Sequence, residues 1–288
     1  MIQQTDMVGR GPVAVGETAT LLPKVPLRYP GGKQRFLAQI LACLPRASDI
    51  EGRFVEPFLG GGAVYFALQR KPALLNDKNR ELIDLYRGIR YDPEQVWRRF
   101  SDYPAGKCAY YKARKEDSRK WGVVAKAART LYLNRTCFKG MWRQNSRGMF
   151  NVGYGGQSRR WAISKDDLIA VAKALRGATL TCSDFQDIVD DTIVGDVLFL
   201  DPPYHPGRRE SPVEHYMFSQ FTYDSHRRLA SALRRATKRG VLWAMTVSSH
   251  PDITALHKKT RIVPLEIGVG ESPGKMTRDT GEVLILNY

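Results

Sequence analysis

The chain has 288 residues, 43% of them hydrophobic, enough for one large α/β domain or a domain carrying a sizeable insertion. Its 45 Lys and Arg exceed 29 Asp and Glu for a formal charge of +16, so a polyanionic partner is expected, nucleic acid before an anionic membrane surface. No apolar run approaches the roughly 20 residues that span a bilayer, the opening MIQQTDMVGRGPVAVG lacks a basic stretch followed by an apolar core, and Cys43, Cys108, Cys137 and Cys182 are scattered without a CxxC pair. A membrane protein, an exported chain, a disulfide framework and a structural zinc site are thereby set aside, leaving a soluble, cytoplasmic protein with reduced thiols and no metal.

In chain order, residues 1–26 are rich in Gly, Pro and small residues without periodicity and read as a flexible N-terminal extension. Phe36, Leu37, Ile40, Leu41 and Leu44 recur at helical spacing just after RYPGGK and stop before Pro45, predicting a helix over 36–44. The stretch RFVEPFLGGGAVYFALQ predicts a short strand around Phe54 and Val55, a turn at Gly60, Gly61 and Gly62, and a helix; PALLND predicts a second strand ending on Asp77. Between residues 107 and 147, twelve Lys and Arg face only Glu116 and Asp117, so the charge excess is local. There Trp121, Val124, Ala125, Ala128, Leu131 and Tyr132 form a helical stripe, whereas NRTCFKGMWRQNSRGMFNVGYGG mixes aromatics, Arg and Gly as a loop or hairpin does. The α/β alternation resumes with helices over 165–175 and 225–237 and strands over 178–182, 197–200 and 241–246. Strands over 261–267 and 282–287 flank a Gly/Ser/Pro-rich connection and predict a closing antiparallel hairpin. The expected architecture is a doubly wound sheet interrupted by a basic insertion.

Such sheets present functional groups at the carboxyl ends of their strands. The glycines of FLGGG let the backbone approach a ligand closely, and the following helix offers its N-terminus, although the motif alone also describes an ordinary strand–helix turn. Asp77 ends the next strand, where a carboxylate can accept both hydroxyls of a ribose. Asp201-Pro202-Pro203-Tyr204 ends a later strand, and Gly31-Gly32-Lys33 lies upstream. GGK invites a phosphate-loop reading, but Gln34 stands where a magnesium-binding Ser or Thr belongs and the glycine spacing differs, so an ATPase is not expected.

RYPGGK, FVEPFLGGG, the Asp of LLND and FLDPPY, in this order with a basic segment before DPPY, resemble the Dam-type family of DNA adenine methyltransferases, its alpha group. The resemblance covers residues 27 to 288 and implies a Rossmann-like methyltransferase sheet. Residues 27–90 and 165–288 would form the catalytic domain binding S-adenosyl-L-methionine, and residues 91–164 an inserted helical and hairpin target-recognition domain for double-stranded DNA. By similarity, Tyr29, Pro30, Gly31, Gly32 and Lys33 border the donor site, and the turn containing Glu56, Pro57, Phe58, Gly60 and Gly62 passes beneath it. Asp77 would hold the ribose hydroxyls, Asp184 would meet the donor's adenine edge with Phe185 packed beside it, and Asp201 would close the site. The stretch LNRTCFKGMWRQNSRGMFNVGYG resembles the family's recognition hairpin, making Arg135, Phe138, Lys139, Met141, Arg143 and Arg147 the candidates for DNA contact and Arg143 that for a guanine. Where GATC-specific members have Tyr-Asn-Gly-Leu, this chain has Phe138-Lys139-Gly140-Met141, and Gly153 replaces the Pro of their Phe-Asn-Val-Pro.

Chemistry explains the DPPY residues. The exocyclic amino group of adenine is a poor nucleophile because its lone pair is delocalised into the ring. The Asp201 carboxylate and the Pro202 carbonyl can each accept one amino hydrogen and make that pair available, with proline fixing the backbone that aims the carbonyl. Pro203 stiffens the same turn, and Tyr204 offers a ring face on which a flipped base can stack. The irregular segment after DPPY, 205–223, can close over that base. Methylation of RNA adenine or of the cytosine amino group uses the same acceptors, and a DNA-binding relative without catalysis is the alternative of another class. A cognate restriction endonuclease and a monomeric or weakly dimeric state complete the expectation.

Overall fold

The computed structural model describes residues 23–28, 31–145, 149–204, 221–269 and 276–288, with 267–269 and 276–280 described in backbone only. The N-terminal extension therefore lies almost wholly outside the described residues, as do Tyr29, Pro30, Arg147 and the segment 205–220.

Seven strands form one sheet in the order β3-β2-β1-β4-β5-β7-β6. The strands β1 (Phe54–Glu56), β2 (Ala73–Asn76), β3 (Ala178–Thr181), β4 (Val197–Leu200) and β5 (Leu242–Ser248) run parallel. Antiparallel to β5 runs β7 (Met276–Leu286), which pairs in turn with β6 (Arg261–Val269). This is the doubly wound, Rossmann-like sheet with a closing antiparallel hairpin. Its strand order reverses between β1 and β4, where the crevice of such sheets opens.

The parallel strands are buried on both faces, and their apolar residues alternate between two cores. Phe54, Leu75, Val197 and Phe199 point to one, Val55, Leu74, Leu198 and Leu200 to the other. The first core is covered by helices α1 (Leu37–Cys43), α2 (Ala63–Leu68), α3 (Arg80–Tyr91), α4 (Pro93–Asp102), α5 (Lys107–Lys115), α6 (Val123–Thr136) and α7 (Lys165–Leu175). The second is covered by α8 (Phe185–Asp190) and α9 (Tyr223–Lys238). The basic insertion thus shares its apolar core with one face of the sheet.

After α6 the chain forms a hairpin bridged at Cys137 with Tyr154 and at Gln144 with Phe150. Its entry is a tight turn with Lys139 and Gly140 both at positive φ and the Met141 N–H bonded to the Phe138 carbonyl, the left-handed pair that favours a glycine. Gly140 also lies against Arg28, whose Cβ is 2.3 Å from where a side chain would begin.

Helices α3, α4, α5 and α8 go beyond the sequence-based expectations. The first is capped by Asn79 and buries Leu82, Ile83, Leu85, Tyr86 and Ile89, a helical period that the sequence does carry. With only six residues, α8 is too short to show one. Strand β7 starts well before residue 282, because a register shift between Leu265 and Glu266 lets pairing resume beyond an irregularity.

At the crossing of α3 and α6, a Cβ on Gly88 would stand 2.4 Å from the Ala127 Cβ and 2.7 Å from the Val123 carbonyl oxygen. Gly88→Ala gains about 1 kcal/mol in helix propensity but overpacks a backbone contact at a cost of about 1–3 kcal/mol. The expected result is a net loss of stability of about 1 kcal/mol, measured as a lower urea midpoint at unchanged m-value.

Candidate active site

A cavity of about 390 Å³ opens at the switch between β1 and β4. Gly31, Gly32, Lys33, Glu56, Pro57, Phe58, Gly60, Gly62, Asp77, Asp184, Phe185 and the whole of Asp201-Pro202-Pro203-Tyr204 line it, so segments far apart in sequence converge on one space.

The turn after β1 is held from β2. The Leu59 N–H bonds the Asn76 carbonyl, and the Gly60 N–H donates to Asp77 Oδ2 at 2.9 Å. Gly60 and Gly62 take positive φ, and at Gly62 a side chain would meet the Phe66 ring at 2.9 Å, so glycine is required there by conformation and by contact. The helix that follows has only six residues; close backbone approach, rather than a long helix dipole, is what this turn offers. Asp77 Oδ1 accepts from the Asn79 N–H at 2.9 Å. Burial raises its carboxyl above the ordinary range, and those two N–H groups oppose the rise.

Fully buried Asn76 organises this end of the sheet. Its Nδ2 donates to the Pro57 and Ser183 carbonyls at 3.0 and 3.1 Å, while its Oδ1 accepts from the Ser183 N–H and the Thr181 hydroxyl, each at 2.9 Å. Every polar valence is used, and the loops after β1 and β3 are tied across β2. Asp184 caps α8, accepting from the Gln186 N–H and from Arg228, both at 2.9 Å. Phe185 stacks on Phe58 at 5.3 Å, and Phe221 closes against both rings at 5.6 Å, forming an aromatic wall.

The polar centre lies at the end of β4. Lys33 is 4% exposed, donates to the Gly31 carbonyl at 2.8 Å, and stands 2.8 Å from Asp201 Oδ1. Thr246 on β5 donates to the same Oδ1 at 2.7 Å. Asp201 Oδ2 takes no hydrogen bond from any described residue and is left for a ligand. Burial pushes the Asp201 carboxyl above the ordinary range, while Lys33 and Thr246 pull it back. Tyr204 donates its hydroxyl to Glu282 Oε2 at 2.7 Å, and Lys33 sits 4.8 Å from the centre of the Tyr204 ring. Burial, then Asp201 and Glu282, raise the tyrosine's pKa, so the phenol stays a donor. Glu56, the last residue of β1, is 2% exposed, and its Oε1 has no hydrogen-bond partner among the described residues. Burial holds its carboxyl well above the ordinary range, opposed by the Tyr65 N–H and reinforced by Asp201.

A model of the D12 class of N6 adenine-specific DNA methyltransferases matches residues 29–267. The chain belongs to this family. A type II methyltransferase, M1.LlaDCHI of Lactococcus lactis subsp. cremoris, is 30% identical over 274 residues, 91% of this chain and 94% of the relative. The DNA N-6-adenine-methyltransferase of Escherichia phage P1 is 33% identical over 83% of this chain, which spans 32% of that longer protein. The type II methyltransferase M.MjaIII of Methanocaldococcus jannaschii is 31% identical over 78% of this chain and 84% of the relative. The protein is an adenine-specific DNA methyltransferase, and its family implies a methyl donor and a DNA substrate. Among the described residues, no helix is long and apolar enough to cross a membrane.

The methyltransferase's recognition candidates divide. Phe138 and Lys139 stand exposed at the hairpin's entry turn, with the lysine 5.4 Å from the phenylalanine ring, and Met141 is half-buried beneath. Arg143 lines the cavity itself, its Nε bonded to Asn151 Oδ1 at 2.8 Å and its terminal nitrogen to the Asn151 carbonyl at 3.2 Å. Arg135 differs from the others: it is 5% exposed and donates from Nε to the Arg159 carbonyl at 3.1 Å. Burial, with Arg28 and Arg159 nearby, pulls its pKa down to about 10, and its bond to the Arg159 carbonyl braces the hairpin's base. Residues that the sequence reading missed are Asn76, Thr246, Arg228 and Glu282. A signal existed for two of them: a hydroxyl within the apolar strand LWAMTVS, and a carboxylate leading into VLIL.

Proposed function

We propose that the methyl donor is S-adenosyl-L-methionine and that the acceptor is an adenine flipped out of double-stranded DNA into this cavity. The single observation that carries the reading is Asp201, held by Lys33 and Thr246 on one oxygen with the other open, in the same cavity as Asp77, Glu56 and the Phe58–Phe185 wall.

The residues fit the donor. The buried Glu56 Oε1, an acceptor without a donor among the described residues, suits an ammonium. Asp77 keeps lone pairs for ribose hydroxyls beside the two N–H bonds it accepts. The aromatic wall suits a purine face, and Asp184 its edge. When bound, S-adenosyl-L-methionine supplies a methyl group on a sulfonium that is already a good leaving group. The protein's own residues prepare the acceptor. Asp201 Oδ2 and the Pro202 carbonyl accept the two amino hydrogens, localise the nitrogen lone pair and stabilise the positive charge it gains. Lys33 opposes the rise that burial imposes on the Asp201 carboxyl, and the Tyr204 ring stacks the base. Residues 91–164 act as the target-recognition domain, with Arg143 aimed from the hairpin toward the cavity and Lys107, Lys112, Lys115 and Lys120 exposed for phosphates. Two relatives are named type II methyltransferases, and by that likeness a cognate endonuclease is the partner to look for. A monomer or weak dimer acting in the cytoplasm is in keeping with this reading.

The test is transfer of labelled methyl from S-adenosyl-L-methionine to unmethylated plasmid DNA, followed by digestion to nucleosides. Label in N6-methyladenosine's deoxy form supports the reading; label in a cytosine derivative, or none, refutes it. A second expectation concerns Glu56→Gln. The donor's affinity should fall about tenfold with loss of the charged hydrogen bond. Because burial raises the folded-state pKa of Glu56 above the unfolded value, this carboxyl lowers stability above the ordinary carboxylate range, and the penalty fades as pH falls. The empty variant should therefore melt at or above the wild type at pH 8, the gain disappearing toward pH ~4, measured by thermal denaturation across pH.

A further inference from the structure

Glu282 lies outside every motif by which the site is recognised, yet it is joined to two of the site's residues and to Arg35 beside them. Its Oε2 accepts the Tyr204 hydroxyl at 2.7 Å and stands 3.7 Å from Lys33 Nζ, while its Oε1 pairs with Arg35 on the turn after GGK. The residue is 9% exposed, so its own carboxylate is buried and is anchored from two sides, by Tyr204 and Lys33 within the site and by the half-exposed Arg35 at its rim.

The backbone of β7 is shaped to deliver it. Glu282 pairs with Ser248 of β5 and Leu265 of β6, and directly beside it the β6–β7 register shifts. The preceding Gly281 has φ +66, and its carbonyl accepts the Ser249 N–H at 2.8 Å. Irregularities of this kind re-aim a side chain, and here the side chain they deliver reaches the tyrosine of DPPY across a sequence separation of 78 residues.

We infer that Glu282 is a positioning residue for methyl transfer, fixing the plane of the Tyr204 ring and the place of Lys33 through one shared carboxylate. The inference rests on the reading of Tyr204 as the stacking surface for the flipped base. A tyrosine anchored only through its own backbone samples several ring orientations; with its hydroxyl tied to β7, both ends of the side chain are fixed. Lys33 is likewise held between Asp201 and Glu282, so the ammonium paired with Asp201 is tied on both sides. Neither effect requires Glu282 to touch substrate.

The experiment compares Glu282→Ala, Glu282→Gln, Tyr204→Phe, Tyr204→Ala and the double variant Glu282→Ala/Tyr204→Phe. The measurements are kcat and KM on unmethylated plasmid DNA, together with S-adenosyl-L-methionine affinity by calorimetry. Tyr204→Phe keeps the ring and loses only the anchor, so it tests the inference even where Glu282→Ala folds poorly. Glu282→Ala and Tyr204→Phe should each lower kcat about 10- to 100-fold, the scale of a small misplacement, with donor affinity within about threefold, well under a charged hydrogen bond's worth. Glu282→Gln, which keeps an acceptor for the hydroxyl, should recover most of the rate. The double variant should be no slower than the slower single one, because both remove the same bond. If Tyr204→Ala is impaired while Tyr204→Phe matches the wild type, the inference is overturned and the stacking reading stands. If Tyr204→Ala keeps full activity, the stacking reading itself falls.

Discussion

Asp201→Ala is expected to lower kcat for methyl transfer by at least about 10²–10³-fold, the scale measured when one preorganised partner of a developing charge is removed. Donor affinity should stay within about threefold, because the groups that fit the donor's ammonium and ribose, Glu56 and Asp77, are untouched. The fold should survive the change: Lys33 keeps the Gly31 carbonyl at 2.8 Å and the Glu282 carboxylate at 3.7 Å, so its charge is not orphaned. Single-turnover transfer and calorimetry with S-adenosyl-L-methionine measure the two quantities separately. An Asp201→Ala enzyme that transfers methyl at the wild-type rate would remove the carboxylate from the mechanism.

Lys33→Met is expected to damage both stability and the pH profile. Lys33 is 4% exposed and Asp201 about a quarter exposed, so removing the ammonium leaves a mostly buried carboxylate without its cation. The cost is about 3 kcal/mol, the low end for breaking a buried pair because Asp201 retains some solvent. Glu282 loses a neighbour as well, although Arg35 remains with it. The sign of the pH effect follows from the chemistry, since only the ionised Asp201 offers both oxygens as acceptors and a negative charge to the amino nitrogen, and activity is lost as pH falls through its pKa. Burial already raises that pKa above the ordinary range, and Lys33 is the first of the groups opposing the rise. In the wild type the acid limb of kcat/KM should therefore lie above pH ~4, the value of an unperturbed aspartate. In Lys33→Met it should move to higher pH. An acid limb unmoved by the substitution would show that Lys33 does not control Asp201.

The parts of the site legible in the sequence are those whose residue type is demanded locally. Gly60 and Gly62 are glycine because the chain takes positive φ there, and Asp77 follows a strand whose four residues are all buried. Pro202 and Pro203 stiffen the backbone at the end of β4, which buries all four of its residues. Each requirement is met within a few residues, so each leaves a motif. The residues that hold these groups left almost none. Thr246 reaches Asp201 from 45 residues away, and Asn76 ties Ser183 from 107. A threonine in a strand and an asparagine at its end are ordinary until the neighbouring strands are laid beside them.

The charge excess shows the same division more sharply. Twelve Lys and Arg within residues 107–147 announce a polyanionic partner, because net charge is a sum that needs no coordinates. Which of them remain available is another matter. Arg129 donates to the Ala113 and Arg114 carbonyls, Arg114 to that of Val152, Arg135 to that of Arg159, and Lys126 pairs with Asp84. These cations satisfy buried or half-buried acceptors, whereas Lys107, Lys112, Lys115, Lys120 and Lys139 are exposed. Residue identity alone settles the two-faced strands, the glycine turns, the stiffened DPPY turn and the sign of the partner's charge, since each follows from covalent geometry, local periodicity or simple addition. The tertiary fold decides which oxygen of Asp201 is open, which arginines are spent as struts, and that a glutamate on β7 anchors Tyr204. Burial and pairing depend on what distant segments bring to one place, and no window of neighbouring residues contains that information.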